Sequence, residues 1–192
     1  MSFWGTGIQL DVLATNPYDS DISTVQTVEK MVSIARSCAT HPLVASVVDS
    51  CLRSLPYRYC QRDLARVIWR WVKSNVRFER DERIVAQQLG YTDPNQELII
   101  SPLVILQMPE PMGDCDCFTT LECSLMLGAG VPCKMVTVAV DEKEPWRYSH
   151  IYPMAYLRDE QRWMGMDASH GTIPGWEVND RPIYRRQEWL VG

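Results

Sequence analysis

The sequence predicts an α+β fold in which a helical first half packs on a small antiparallel sheet from the second half. Between residues 23 and 74, apolar residues recur three and four positions apart, the spacing of amphipathic helices. Between residues 134 and 166 apolar residues instead alternate with polar ones, as in strands that bury one face. The helices precede the strands and do not alternate with them, which disfavours parallel βαβ units.

Five segments carry the signals of helices. Ser23 fits the N-cap of the first helix, with Gln26 completing a capping box. Pro42 fits the first turn of a second helix that ends near Leu52, because the amide proton that proline lacks would be unpaired there. The remaining helical segments are residues 63–74, 102–106 and 115–127. Gly128 follows the last of them and fits its end.

The strand signals are short and lie mostly in the second half. The expected strands are residues 76–78, 134–140, 149–157 and 162–166. Residues 159–161 fit a tight turn, so the last two strands are expected to form a hairpin. The register of that hairpin stays open.

Three regions are expected along the chain. Residues 1–22 form an N-terminal arm, residues 23–170 form one domain, and residues 171–192 form an irregular C-terminal tail packed on that domain. Gly171, Pro174 and Pro182 account for the irregular tail, because glycine and proline mark turns and loops. A total of 192 residues is enough for one domain of this kind.

Composition and charge exclude several classes of protein. With 46% hydrophobic and 22% charged residues, the chain has the composition of a globular domain and not of a disordered one. The net charge of −5 argues against a nucleic-acid partner, since binding to phosphates needs a basic surface. No apolar run is long enough to cross a membrane and no signal peptide is evident, so we expect no membrane partner. Seven cysteines, an odd number, favour a reducing compartment over a disulfide scaffold.

The main chemical signal is the run Gly113-Asp114-Cys115 at the start of the helix over residues 115–127. A cysteine in the first turn of a helix faces unpaired backbone N–H groups and the positive end of the helix dipole, and both stabilise a thiolate. A free cysteine is also often just a small buried hydrophobic residue. Cys115 is therefore a candidate nucleophile that needs a base beside it.

Two later residues complete a candidate site. His150 lies in the alternating strand 149–157, and Asp167 ends the next strand. If those strands pair, the two side chains approach each other, and an acid beside an imidazole can hold its orientation. His170, in the loop that follows, is the alternative base.

These motifs resemble the transglutaminase-like cysteine superfamily, which has a papain-like fold. The order is Gly-x-Cys at a helix start, His 35 residues later and Asp another 17 residues later. The resemblance implies that Cys115, His150 and Asp167 are catalytic and favours His150 over His170. The closest similarity is to versions encoded by tailed bacteriophages, through the Gly-Asp-Cys-Asp run and the earlier Ser-Pro pair at residues 101–102. Cys117 departs from that pattern, in which an acid is usual at this position.

The resemblance also implies a function. We expect a cysteine-dependent hydrolase or acyltransferase that acts on an amide, peptide or isopeptide bond of a peptide or protein substrate. The setting would be phage assembly in the host cytoplasm or the virion, with the arm and tail contacting other virion proteins. The alternative is a virion structural or assembly protein that keeps the fold with little turnover. The backbone N–H of Cys115 would bind the oxyanion together with Gln107, Trp69 or Trp71.

A metal site is the main competing interpretation. The soft ligands available are Cys115, Cys117, Cys123, Cys133, His150 and His170. Residues two apart on a helix diverge by about 200°, so Cys115 and Cys117 would not share an ion. We therefore predict no metal and no cofactor. Cys117 lies on the apolar stripe of its helix and is expected to be buried and inert, which leaves Cys115 as the reactive thiol.

Overall fold

The computed structural model describes residues 11–14, 20–80, 83, 96–178 and 181–192. Helices and strands segregate along these residues as an α+β fold, so the predicted fold class is confirmed. The helices are α1 (Ser20–Cys38), α2 (Pro42–Arg53), α3 (Gln61–Asn75), α4 (Pro102–Ile105) and α5 (Cys115–Gly128). The strands are β1 (Asp11–Ala14), β2 (Arg77–Phe78), β3 (Gln96–Ile99), β4 (Met112–Gly113), β5 (Cys133–Ala139), β6 (His150–Leu157), β7 (Arg162–Gly165) and β8 (Arg185–Leu190).

The main sheet has four antiparallel strands in the order β7-β6-β5-β8. Strands β6 and β7 form the expected hairpin, with Leu157 opposite Arg162 and Met154 opposite Gly165. Strand β8 was not expected, because the sequence predicted an irregular tail over residues 171–192. Residues 185–188 are all polar and largely exposed, so they lack the apolar alternation that marks a strand. They form one because the free edge of β5 offers backbone hydrogen bonds.

The N-terminal region also differs from the expectation. Helix α1 begins at Ser20, three residues before the predicted cap at Ser23. The hydroxyl of Thr24 donates to the carbonyl of Ser20 at 2.8 Å, so this segment is already helical and the capping box is wrong. Strand β1 pairs with β3, and residues 1–10 and 15–19 of the expected arm lie outside the described residues. The three region boundaries remain predictions.

Among the described residues, no single helix is long and apolar enough to cross a membrane. Helices α1 and α2 meet the length and composition requirement only as a pair, and that pair is bent by 75°.

Helix α5 is the central element of the core. Every residue from Asp116 to Met126 is buried, because the helix packs against α1, α2 and α3 and against β6. The buried residues include polar ones such as Thr119, Thr120 and Glu122, so packing from several sides and not the apolar pattern alone places this helix in the core. The first turn of α5, which carries Cys115, is therefore held between the helical half and the sheet.

A two-stranded parallel pair fixes the entry into α5. Phe78 of β2 lies opposite Gly113 of β4, and the Glu79 N–H donates to the Gly113 carbonyl at 2.9 Å. A Cβ atom on Gly113 would lie 2.4 Å from the Cβ of Cys117, so only glycine fits this approach. The Asp114 side chain then caps the helix by accepting from the Cys117 N–H at 3.5 Å.

Candidate active site

Cys115 is the first residue of α5 and is partly exposed, whereas Cys117 is fully buried. The predicted difference in burial between these two thiols is confirmed. One turn after Cys115, the Thr119 hydroxyl donates to the backbone carbonyl of Ile151 at 3.2 Å. Residues four apart lie on the same face of a helix. The face of α5 that carries Cys115 is therefore turned toward the start of β6, where His150 precedes Ile151.

His150 and Asp167 are hydrogen-bonded to each other inside the protein. The Nε2 atom of His150 lies 2.7 Å from Oδ2 of Asp167, and these residues are 9% and 1% exposed. An ionised carboxylate can only accept, so Nε2 carries the proton and Nδ1 is the ring nitrogen left for a thiol. Asp167 lies two residues beyond the end of β7, at Gly165, and reaches back to the first residue of β6.

The carboxylate of Asp167 receives three hydrogen bonds. Besides the one from His150, its Oδ1 accepts from the Ser169 hydroxyl at 2.7 Å and from the His170 N–H at 2.9 Å. Burial raises the pKa of Asp167, but the hydrogen bond and charge of His150 and the two further donors lower it more. The net effect is a pKa below the ordinary 3.8, so Asp167 is a fixed negative charge beside the imidazole.

Two ionisable groups hold the peptide that follows Asp167. Lys73 of α3 donates to the Ala168 carbonyl at 2.9 Å, and the Ala168 N–H donates to the Glu122 carboxyl at 3.4 Å. Burial, followed by the negative charge of Asp167, raises the pKa of Glu122 well above the ordinary 4.5. The Glu122 carboxyl therefore keeps its proton to a higher pH in the folded protein than a free glutamate does. The sequence analysis missed this role, and the available signal was a glutamate inside an apolar helix.

His170, the alternative base, also lies at this site. Its ring centroid is 4.5 Å from that of His150, with the planes at 72°, and its Nδ1 is 2.9 Å from the Ser169 oxygen. The His170 side chain is exposed at the surface, but partial desolvation by its neighbours and the positive charge of His150 lower its pKa. The structure thus brings both candidate bases together, with only His150 in direct contact with the Asp167 side chain through a ring nitrogen.

The side chains expected to help bind the oxyanion, which are Gln107, Trp69 and Trp71, lie in different surroundings. The Gln107 amide donates to the Leu103 carbonyl at 2.8 Å, within its own helical turn. Trp69 is 5% exposed in the core, and Trp71 packs against the same core while partly buried. The first amides of a helix have no intrahelical acceptor, which makes the Cys115 N–H suitable for an oxyanion.

Among the residues that the structure describes, two groups of side chains could hold a metal ion. His150, Asp167 and His170 have possible ligand atoms within 4.8 Å of one another, and so do Asp114, Asp116 and Cys117. In the first group a direct hydrogen bond of 2.7 Å joins the imidazole to the carboxylate, and an ion would have to replace it. No disulfide joins any of the seven cysteines, all of which lie in the part of the chain that the structure describes.

Residues 49–168, more than half of the chain, match the model of the transglutaminase-like superfamily. The chain belongs to this superfamily. No curated protein sequence matches it.

Several solved structures are similar to this chain. A protease candidate from Parabacteroides distasonis is 9% identical with a TM-score of 0.49, over 75% of this chain and 26% of its own. A cysteine protease candidate from Cytophaga hutchinsonii is 19% identical with a TM-score of 0.41, and the match covers 69% of this chain and 45% of that protein. A TGase is 14% identical with a TM-score of 0.42, and the match covers 85% of this chain and 36% of that protein. This chain thus spans less than half the length of each of these proteins.

Proposed function

We propose that this protein is a cysteine-dependent hydrolase or acyltransferase that acts on an amide, peptide or isopeptide bond. Cys115 is the nucleophile, His150 the general base and acid, and Asp167 the group that orients the imidazole. The observation that carries the proposal is the buried hydrogen bond from His150 Nε2 to Asp167, because it directs Nδ1 away from the carboxylate and leaves it for the thiol. Membership in the transglutaminase-like superfamily supports the same chemistry.

The reaction would run in two steps. In the first, Nδ1 of His150 takes the proton of the Cys115 thiol, and the thiolate attacks the carbonyl carbon of the substrate. The tetrahedral oxyanion is stabilised by the Cys115 N–H at the positive end of α5. The C–N bond then breaks, the leaving amine takes the proton from Nδ1, and a thioester remains on Cys115.

In the second step, a nucleophile attacks the thioester carbonyl while Nδ1 of His150 accepts its proton. The C–S bond breaks and the thiolate regains that proton from His150. Water as the nucleophile releases a carboxylic acid, and the protein is then a hydrolase. A primary amine gives a new amide, and the protein is then an acyltransferase. Cys115, His150 and Asp167 serve both outcomes.

The biological setting forms a second part of the proposal. A peptide or protein substrate in phage assembly, in the host cytoplasm or the virion, is supported by the Gly-Asp-Cys-Asp run at residues 113–116 and the Ser-Pro pair at residues 101–102. Contacts with other virion proteins through the N-terminal arm and C-terminal tail belong to this part. Nucleic acid and membrane are not among the proposed partners.

Trapping of an acyl group tests the chemistry without knowledge of the natural substrate. The protein is mixed with a p-nitrophenyl ester of a protected amino acid, and the adduct is located by peptide mass spectrometry. We expect one acyl group on Cys115, none on Cys115→Ala, and unchanged acylation in the control Cys60→Ala, which removes an exposed thiol. Asp167→Asn should slow acylation by roughly 10³- to 10⁴-fold, as in other triads whose imidazole loses its acceptor.

The acylated protein also separates the two reactions. Release of free acid in buffer shows hydrolysis, and formation of an amide on addition of glycine methyl ester shows transfer. If Cys115 is not acylated in the folded protein, or if His150→Ala acylates at the same rate as the wild type, the enzymatic proposal fails. A structural or assembly protein without turnover would then be the better account.

A further inference from the structure

His170 takes part in a hydrogen-bonded chain that the proposed reaction does not use. The Ser169 hydroxyl lies 2.7 Å from Oδ1 of Asp167 and 2.9 Å from Nδ1 of His170. Because the carboxylate can only accept, the Ser169 proton must point to Asp167. The Ser169 oxygen then accepts from His170, so Nδ1 of His170 carries a proton. His150 and His170 thus share one carboxylate, the first directly and the second through a hydroxyl.

The ring of His170 also contacts both sides of the site. Its centroid is 4.5 Å from His150, with the ring planes at 72°, and 5.1 Å from Phe78, with the planes at 71°. Phe78 lies opposite Gly113, two residues before Cys115, and its ring is 6.2 Å from that of Phe118 in α5. His170 therefore links the segment that carries the nucleophile to the segment that carries the base.

The charges around His170 oppose its protonation. Partial desolvation lowers the pKa of His170 first, and the positive charges of His150, Lys73 and Arg181 lower it further, while Asp167 raises it. His170 is a neutral ring at pH 7, since the net pKa lies below the ordinary 6.5. A neutral ring can rest against an imidazolium, whereas a second cation at this distance would repel it.

We propose that His170 is a positioning residue of the candidate active site, an imidazole that braces His150 with its ring and fixes Asp167 through the Ser169 hydroxyl. The proposal rests on the function proposed above, because its effect is to stabilise the pair formed by the Cys115 thiolate and the His150 imidazolium. Loss of His170 or of the Ser169 hydroxyl should therefore reduce the fraction of Cys115 that is present as thiolate at low pH.

The rate at which iodoacetamide alkylates Cys115, measured from pH 4 to pH 10, reports the fraction of this thiol that is ionised. We expect His170→Ala and Ser169→Ala to move the midpoint of the profile to higher pH by about one unit, which slows alkylation by about tenfold at pH values well below the wild-type midpoint. His170→Asn should retain part of the wild-type profile, because its amide N–H can replace Nδ1–H toward Ser169 although the ring that contacts His150 is lost. The control His41→Ala removes another imidazole, one that caps α2, and should leave the profile unchanged.

The tautomer of His170 provides a second measurement on the unmodified protein. In ¹⁵N NMR spectra at pH 7, we expect His170 to be neutral with its proton on Nδ1. A proton on Nε2, or a cationic His170 at this pH, overturns the proposal even if the alanine variants fail to fold. Unchanged alkylation profiles in folded His170→Ala and Ser169→Ala also overturn it.

The same experiment separates this inference from the proposed function. If His150→Ala shifts the alkylation profile and His170→Ala does not, only the role of His170 is wrong. If His150→Ala leaves the profile unchanged, the proposed triad is wrong, and the proposed role of His170 falls with it.

Discussion

Thr119 donates a hydrogen bond from its side chain to the backbone carbonyl of Ile151 at 3.2 Å. This bond joins the helix that begins at Cys115 to the strand that begins at His150. Thr119 is 1% exposed, so water does not compete for the bond. The distance between the candidate nucleophile and the candidate base thus depends on a contact that lies one helical turn after Cys115 and one residue after His150.

Replacement of Thr119 by valine should separate the two elements with little change of volume. We expect Thr119→Val to lower the free energy of unfolding by about 1 kcal/mol and to slow acylation of Cys115. The matched control is Ser124→Ala, which removes a buried hydrogen bond of 2.8 Å to Thr120 within the same helix. Urea denaturation and acylation rates are measured on both variants. Equal slowing of acylation by both would show that the Thr119 contact has no special effect on the site.

The raised pKa of Glu122 leads us to expect that the stability of the folded protein depends on pH. Its pKa is raised in the folded protein, so the folded state keeps a proton that the unfolded state loses above about pH 4.5. The stability due to this proton is fully present below pH 4.5 and is lost as the pH rises. Glu122→Gln has no such proton. The free energy of unfolding of Glu122→Gln, relative to that of the wild type, should therefore rise from pH 5 to pH 8 by about 1 kcal/mol per pH unit. The rise should stop once the Glu122 carboxyl of the folded wild type ionises.

Denaturation in urea at several pH values measures that difference. Asp167 does not obscure it, because its pKa is lowered and its contribution is lost only as the pH falls below about 3.8. A constant difference between Glu122→Gln and the wild type across the range would mean that Glu122 is ionised in the folded protein.

Gly171 leaves room for the loop that carries Asp167. A Cβ atom at this position would lie 2.2 Å from the Asp167 carbonyl oxygen, so Gly171→Ala must displace that loop. A displacement of about 1 Å in an active site can cost on the order of 100-fold in rate, and we expect a loss of this size in acylation. Acylation of Cys115 and thermal unfolding are measured together.

The control for this variant is Gly130→Ala. Gly130 has a φ of +71° and no atom near its missing Cβ, so alanine there costs about 1 kcal/mol in backbone strain without a clash. It should lower stability and leave acylation unchanged. If both variants reduce acylation in proportion to their loss of stability, the effect of Gly171 is not local to the site.

The elements that bury an apolar face could be predicted from sequence. Helix α5 and the hairpin of β6 and β7 agree with the expected segments within one residue, because their apolar spacing and flanking turns are clear. The residues of the candidate site stood at the ends of these same elements, so their approach could be anticipated. The register that brings Asp167 to His150 could not be predicted from sequence. Asp167 lies beyond the end of β7, and its position depends on the loop that follows.

Other features depend on tertiary contacts that local sequence does not record. Strand β8 is polar and forms only because β5 has a free edge. Glu122 is a charged residue type that is buried here because α5 is packed on all sides. Its pairing with the Ala168 N–H joins residues 46 positions apart. The link from Asp167 through Ser169 to His170 likewise requires the folded loop.

Site-resolved alkylation tests the central claim most directly. The folded protein is treated with iodoacetamide at pH 6, and the labelled thiols are identified over time by mass spectrometry. Cys115 should be modified first, because the helix N-terminus and the imidazolium of His150 stabilise its thiolate. Cys115→Ala should abolish this rapid phase. Faster labelling of Cys117, which is fully buried, or of Cys60, which is exposed, would contradict the assignment of Cys115 as the nucleophile.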